Sequence, residues 1–342
     1  RKQGRRCLSS PWDRRQLSGG GQITTTGRSS VLMQAAQEPG EFSTMTIQIR
    51  RVAINTGGGD APGLNAVIRA AVISGRRRGW EMFGIRDGYN GLLEPEDYPG
   101  GGVIPLSRDS VRGITHLGGT ILGTTNRGNP LEYPLIKPDG SVEVVDRSDE
   151  IIQGLADREI DAVVAIGGDG SLAIANALFE KGVNIVGVPK TIDNDLEETV
   201  VTFGYDSAIS FAAECIDRLH STAEAHDRVM VVEVMGRYAG WIAVGSGVAA
   251  TADAILIPEI PFDLDIVAEK ILDRQRKGRD FSILVVAEGA VPKNGQRSIL
   301  GKALGQAERL GGIGLQVAAA LEEKTGKETR TVVLGHLLRG GG

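Results

Sequence analysis

Three observations predict an α/β fold with mostly parallel sheets. Short apolar runs alternate with helix-like stretches from Arg51 onward. The runs lack polar alternation, as strands covered on both faces do. Glycine makes up 48 of 342 residues, roughly double the usual fraction of about 7%. With no collagen spacing, that glycine must serve tight turns and close backbone approach.

The elements follow in order. Residues 52–55 (VAIN) form a buried strand, then a glycine loop opens a helix over 65–78. Residues 161–166 (DAVVAI) form a second strand, ending in GGDGS and a helix over 172–181. Residues 184–188 (NIVGV) form a third, ending in PKTIDND. The alternation continues with a helix near 207–220, a strand at 229–234, a helix near 238–248 and a strand at 254–257. A helix over 264–277, a strand at 282–287, a helix near 310–324 and a strand at 331–334 complete it. The stretch from about 100 to 128, rich in GGG, GGT and GTTNRG, breaks this rhythm and reads as loop. Loops at strand C-termini are where open α/β sheets bind ligands.

Composition narrows the function. The 38 basic and 43 acidic residues give a net charge of −5, which argues against a dedicated nucleic-acid binder. Hydrophobic residues at 41% suffice for a sizeable core. No stretch approaches the roughly 18 uninterrupted apolar residues a membrane helix needs. The two cysteines, Cys7 and Cys215, stand far apart and suggest neither a disulfide framework nor a zinc site. Residues 1–47 differ from the rest, with seven basic residues before Met45 against Asp13, Glu38 and Glu41. They read as a disordered or non-native leader outside the fold, which leaves a cytoplasmic protein; organelle targeting is the alternative.

Three motifs carry chemistry. Thr56 to Asn65 (TGGGDAPGLN) follows a strand and opens a helix, so backbone N–H groups and the helix N-terminus can approach phosphate oxygens. It matches neither GxxxxGK[ST] nor GxGxxG. GGDGS at 167–171 repeats the arrangement, and Asp169 supplies a carboxylate where Mg²⁺ would neutralise phosphate charge. A tight turn or an N-cap would also account for either loop alone. Thr191-Ile192-Asp193-Asn194-Asp195 is sharper: two alternating carboxylates just past a buried strand suit one general base and one metal ligand. Arg228, Arg237, Arg330 and Arg339 sit at element ends, where forked guanidiniums suit phosphate recognition.

Taken together, GGDAPGLNAVIR (58–69), GGDGS (167–171), PKTIDND (189–195), EVMGRYAGW (233–241), ETRTVVLGH (328–336) and RGG (339–341) resemble the 6-phosphofructokinase family. The resemblance implies two doubly wound three-layer α/β/α domains. These would be a donor domain over 48–204 and a sugar-phosphate domain over 205–335, with 336–342 starting a return to the first domain. Such chains continue past RGG, so the final segment of the fold is expected to be missing here and this polypeptide to fold poorly by itself. The implied reaction moves the γ-phosphoryl group of ATP to the 1-hydroxyl of fructose 6-phosphate, with Mg²⁺.

By the same resemblance, Gly58, Gly59, Gly168, Asp169, Gly170, Ser171 and Arg127 hold the donor, and Asp169 and Asp195 serve Mg²⁺. Asp193 is the base, with Gly59 and Arg237 in the catalytic group. Thr191, Ile192, Asp193, Met235, Gly236, Arg237, Glu288, His336 and Arg339 contact the sugar phosphate. Arg228 and Arg330 match arginines reaching across a subunit interface, so a homo-oligomer (dimer or tetramer) with shared active sites is expected, with no nucleic-acid or membrane partner. Gly170 is what ATP users carry, whereas Lys190 is common among pyrophosphate users. Gly170 weighs more, because a nucleotide requires a missing side chain there while a lysine is tolerated. Arg127 stands one place later than the usual phosphate-binding arginine, Leu338 replaces a glutamine, and Ile73 and Asp280 replace basic residues of the usual allosteric site. The alternative is a pyrophosphate-dependent enzyme for the same reaction. NAD or lipid kinases share a GGDG-type loop but have no place for TIDND and MGRYAG, and a non-catalytic regulatory subunit would have lost the acid pair or the arginines.

Overall fold

In a computed structural model the described residues are 48–125, 128–137, 139–301 and 309–342. The leader, Cys7 and Arg127 therefore lie outside the described residues. Residues 48–342 belong to one compact unit.

The first half runs β1 (Arg51–Thr56), α1 (Leu64–Arg77), β2 (Glu81–Ile85), α2 (Asn90–Leu93), β3 (Val103–Leu106), β4 (Tyr133–Ile136), β5 (Val142–Val145), α3 (Ser148–Ala156), β6 (Ala162–Gly167), α4 (Asp169–Glu180), β7 (Ile185–Thr191) and β8 (Phe203–Gly204). The second half runs α5 (Tyr205–Ala225), β9 (Val229–Val234), α6 (Trp241–Ala249), β10 (Ala254–Leu256), α7 (Leu264–Arg276), β11 (Ser282–Ala287), β12 (Ile299–Gly301), β13 (Arg309–Leu310), α8 (Ile313–Thr325) and β14 (Thr329–Val333). A 3-10 turn, Gly335–Arg339, follows.

Two main sheets result, ordered β3-β2-β1-β6-β7-β8 and β10-β11-β9-β14. Every pairing in them is parallel except β2 with β3. The small pairs β4–β5 and β12–β13 are antiparallel.

Both sheets are covered on both faces, which is why their strands read as unbroken apolar runs. Val52 and Ile54 pack with Leu64 and Ile68 of α1, while Ala53 between them faces Ile151 of α3 and Leu178 of α4. In the second sheet Met230, Val232 and Val234 meet α5 and α6, and Val229 and Val231 meet α7 and α8. All six residues of β9 and of β11 are buried. Each large aliphatic chain so covered contributes about 1.5–3 kcal/mol of transfer free energy.

The structure moves several expected boundaries. α4 begins at Asp169, so Gly170 and Ser171 lie in its first turn. β7 continues to Thr191, which places Lys190 on a strand. α6 begins at Trp241, so Arg237 stands in the preceding turn and does not open the helix. Arg330 lies inside β14. β2, β3 and α3 were not anticipated.

Candidate active site

Parallel pairing sends the loops after β1, β6 and β7 to one sheet edge. There Gly57, Gly58, Gly59, Gly168, Asp169, Gly170, Ser171, Lys190, Thr191 and Arg339 line a cleft of about 360 Å³. The two glycine loops close on Ser171. A Cβ at Gly57 would fall 2.5 Å from its Oγ, and one at Gly167 would fall 2.2 Å from its Cβ. Real side chains at either place would push the loops apart. Gly58 has φ 77°, a conformation that costs glycine nothing. Its N–H donates to Thr125 O at 3.0 Å, and its carbonyl accepts from Thr124 Oγ1 at 2.6 Å. Gly170 faces open space: a Cβ there would meet no heavy atom within 4 Å. The N-terminal turn of α4, whose first N–H groups have no partner within the helix and no side-chain cap, forms part of the wall.

A second group of residues arrives from β7 and from three neighbouring strands of the other sheet. Glu288 N–H donates to Val234 O at 2.8 Å, and Gly289 N–H donates to Gly236 O at 3.0 Å, so the end of β11 lies beside the Met235–Arg237 turn. Leu334 N–H donates to Glu233 O at 2.9 Å, which brings the 3-10 turn carrying His336 and Arg339 to the same edge. Arg339 joins this edge to the glycine loop. Its Nη1 donates to Asp60 O at 3.0 Å, and a Cβ at Gly59 would sit 2.6 Å from that atom.

Asp193 stands where the two groups meet. Asn194, at φ 51°, turns the chain, and its carboxamide oxygen accepts from Thr202 N–H at 2.9 Å. Thr202 Oγ1 donates to Thr191 O at 2.6 Å, fixing the base of the turn. Thr191 Oγ1 accepts from the Asp193 N–H at 3.2 Å and donates to Asp195 Oδ1 at 3.4 Å. Asp193 Oδ1 is buried with no hydrogen-bond partner among the described residues. Burial first, and then the Asp195 charge, push the Asp193 carboxyl up to about 6 against the pull of Arg339, Arg237 and Lys190. Glu288 is pushed up to about 7 by burial and by Asp193. Burial and Arg339 bring the Lys190 ammonium down to about 8, and its Nζ donates to Gly59 O. Lys190, Asp193, Arg237, Glu288 and Arg339 thus share one field, and two of them also line the cleft.

Not every anticipated residue is at this place. The Ile192 side chain is 1% exposed and packs in the core, so a ligand can meet this residue only through its backbone. The Met235 side chain is likewise in the core. Asp195 and His336 are exposed. Arg228 precedes β9, and Arg330 pairs beside it in β14; both form ion pairs with Glu328. Six residues of β9 separate Arg228 from Met235, about 20 Å at the rise of an extended strand. These two arginines are therefore at the opposite edge of their sheet.

Other residues here were not anticipated. Asn55, Tyr89, Asn90, Asn129, Pro130 and Ile174 also line the cleft. Buried Glu233 accepts from Gly312 N–H at 3.0 Å and Gly314 N–H at 2.8 Å, capping the start of α8 from β9. A lone glutamate inside an apolar run (VMVVEV) was the available signal for it.

The phosphofructokinase family model matches residues 51–342. The chain belongs to the phosphofructokinase family. Among its relatives within phosphofructokinases and related enzymes is ATP-dependent 6-phosphofructokinase 2 of Clostridium perfringens, 47% identical over 298 residues and covering 86% of this chain and 80% of that one. Another is the pyrophosphate–fructose 6-phosphate 1-phosphotransferase of Amycolatopsis mediterranei, 49% identical over 296 residues, with 85% and 81% covered. The solved phosphofructokinase of Saccharomyces cerevisiae superposes with a TM-score of 0.68 at 32% identity, over 85% of this chain and 39% of that one. The expected α/β architecture with mainly parallel sheets is the fold of this family.

Proposed function

We propose that this phosphofructokinase transfers the γ-phosphoryl group of ATP to the 1-hydroxyl of fructose 6-phosphate, a glycolytic step giving fructose 1,6-bisphosphate and ADP. The observation that carries the reading is Asp193, whose Oδ1 is buried with no hydrogen-bond partner among the described residues, next to a cleft walled by two glycine loops. The cleft is of a size that takes a nucleotide. Its glycine N–H groups and the N-terminus of α4 supply the phosphate cradle. Asp193, ionised above pH about 6, accepts the proton of the sugar hydroxyl as that oxygen attacks the γ-phosphorus and the bond to ADP breaks. Arg237 and Arg339 offset the charge that grows on the phosphoryl oxygens. Thr191, Gly236, Glu288 and His336 orient the sugar phosphate.

The residues present fit Mg²⁺ held mainly by the nucleotide. Asp169 lines the cleft, and Asp195 lies within reach of the Thr191 hydroxyl. The described residues contain no cluster of three metal-binding side chains. One or two carboxylates plus phosphate oxygens is the usual magnesium shell in such sites. When bound, the ion neutralises phosphate charge.

Donor and sugar roles divide at residue 204, where the first sheet ends. The distant edge bearing Arg228 and Arg330 supports an oligomer whose subunits complete one another's sites. Among the described residues no helix is long and apolar enough to cross a membrane.

Pyrophosphate as donor is the second reading, favoured by buried Lys190 in the cleft and by the name of the Amycolatopsis relative. The open space at Gly170 supports ATP. Assaying fructose 6-phosphate phosphorylation with ATP and with pyrophosphate on one preparation separates the two. Turnover with pyrophosphate alone would overturn the proposal.

A further inference from the structure

The cleft lining holds two chemistries. One set is glycine backbone with Asp169, Lys190 and Arg339; the other is Tyr89, Asn90, Asn129, Pro130 and Ile174, with no formal charge. The first suits phosphates with their metal and the second suits the uncharged body of a nucleoside. Residues 128–130, which carry part of the second set, belong to neither helix nor strand. A loop positions a ligand only when surrounding contacts hold it.

Those contacts converge on Arg147, which is outside the cleft lining. Its backbone N–H donates to Pro130 O at 2.7 Å. Its side chain is 13% exposed and uses its whole fork: Nη1 donates to Glu94 Oε1 at 3.2 Å, Nη2 to Leu93 O at 3.1 Å and Glu150 Oε2 at 2.9 Å, and Nε to Glu150 Oε1 at 3.0 Å. The guanidinium lies 4.7 Å over the Tyr133 ring. Tyr133 Oη donates to the same Glu94 oxygen at 2.6 Å. The Tyr133 ring fills the space where a Cβ at Gly128 would fall 2.9 Å away. One arginine therefore joins the ends of α2 and α3, the β4–β5 hairpin and the cleft wall. A lysine could not reproduce so many directed bonds.

We propose that Arg147 is a positioning residue for the nucleoside half of the phosphoryl donor, acting through the 128–130 wall. This rests on the reading of the chain as an ATP user. The test compares Arg147→Met, Arg147→Lys and Tyr133→Phe with the wild type. ATP is the donor, and inorganic tripolyphosphate, which lacks a nucleoside, serves as a competitive inhibitor that engages the phosphate-binding residues alone. Absence of ATP turnover in the wild type would defeat the underlying reading and is distinct from failure of the inference.

With Arg147→Met, KM for ATP should rise about tenfold, the scale of a displaced positioning group. The kcat, the KM for fructose 6-phosphate and the Ki of tripolyphosphate should stay within about twofold of wild type. Arg147→Lys should recover only part of the ATP affinity. If Arg147→Met does not fold, Tyr133→Phe, which keeps the ring and loses one bond, should still raise KM for ATP with an unchanged tripolyphosphate Ki. An equal rise in both constants, or no change in either, would overturn the proposal.

Discussion

Replacing Asp193 with asparagine should make this protein more stable and nearly inert. Burial and the Asp195 charge hold the Asp193 carboxyl at about 6 against an ordinary 3.8. At 1.36 kcal/mol per pH unit, keeping it ionised costs the folded state about 3 kcal/mol at neutral pH. Between pH 3.8 and about 6 the unfolded chain has released this proton while the folded chain retains it. The unfolded state then binds fewer protons, so stability falls as pH rises through that window and is level above it. Asparagine is not ionisable, but its own amide hydrogens need partners, so a net gain of about 1–3 kcal/mol is expected at pH 8. For a chain of this size that is a Tm higher by about 2–6 °C. At pH 5 the folded carboxyl is mostly protonated already, and the gain should shrink to roughly half. Loss of the base should lower kcat by about 10²- to 10⁴-fold. In the wild type, kcat/KM should fall as the pH drops through about 6. Thermal melts of both proteins at pH 5 and pH 8, with kcat at saturating substrates, provide the assay. A stability gain equal at both pH values would assign the effect to packing, and undiminished turnover would remove Asp193 as the base.

Three further outcomes follow from the same geometry. Gly170→Asp places a carboxylate at the phosphate end of the cleft, where a Cβ meets nothing within 4 Å, so the melting curve should not move. A like charge near 4 Å costs roughly 4 kcal/mol at an effective dielectric of 20, so kcat/KM for ATP should drop by at least about 100-fold; full ATP activity would refute the donor argument. Glu233→Ala strips the N–H groups of Gly312 and Gly314 of their acceptor, and should lower unfolding free energy in urea by about 2–4 kcal/mol. Chelating divalent cations should abolish turnover while leaving the melt unchanged, because the exposed Asp169 and Asp195 make no structural metal cluster with other described residues; a lowered Tm would point to a structural ion instead.

How far the sequence disclosed this molecule depended on whether a signal was local. The bounds of β9 and β11 could be read to the residue because all six positions in each are buried, and a nearly unbroken apolar run marks a strand covered on both faces. β2 escaped notice because exposed Glu81 and Gly84, its fourth residue, dilute a five-residue run whose partners lie on both sides. α4 was started too late because Gly168 and Gly170 hide a first turn that glycine propensity argues against. Within the site, GGDGS and PKTIDND were visible as contiguous strings, and strand–loop–helix logic sent them to one edge. Tyr89, Asn129 and Pro130 were not visible, since they reach the cleft only because β2 lies beside β1 and the 128–130 loop folds back over that corner. Arg147 is further removed still, touching the wall through one backbone bond and the core of its own network. What distinguishes a nucleotide cleft from a pyrophosphate cleft thus lies in pairings among residues distant in the chain. For that reason Gly170 and Lys190, adjacent to the phosphates, pull in opposite directions when read alone. The uncharged lining residues, which suit a nucleoside and have no use for pyrophosphate, add to the open space at Gly170 in favour of ATP.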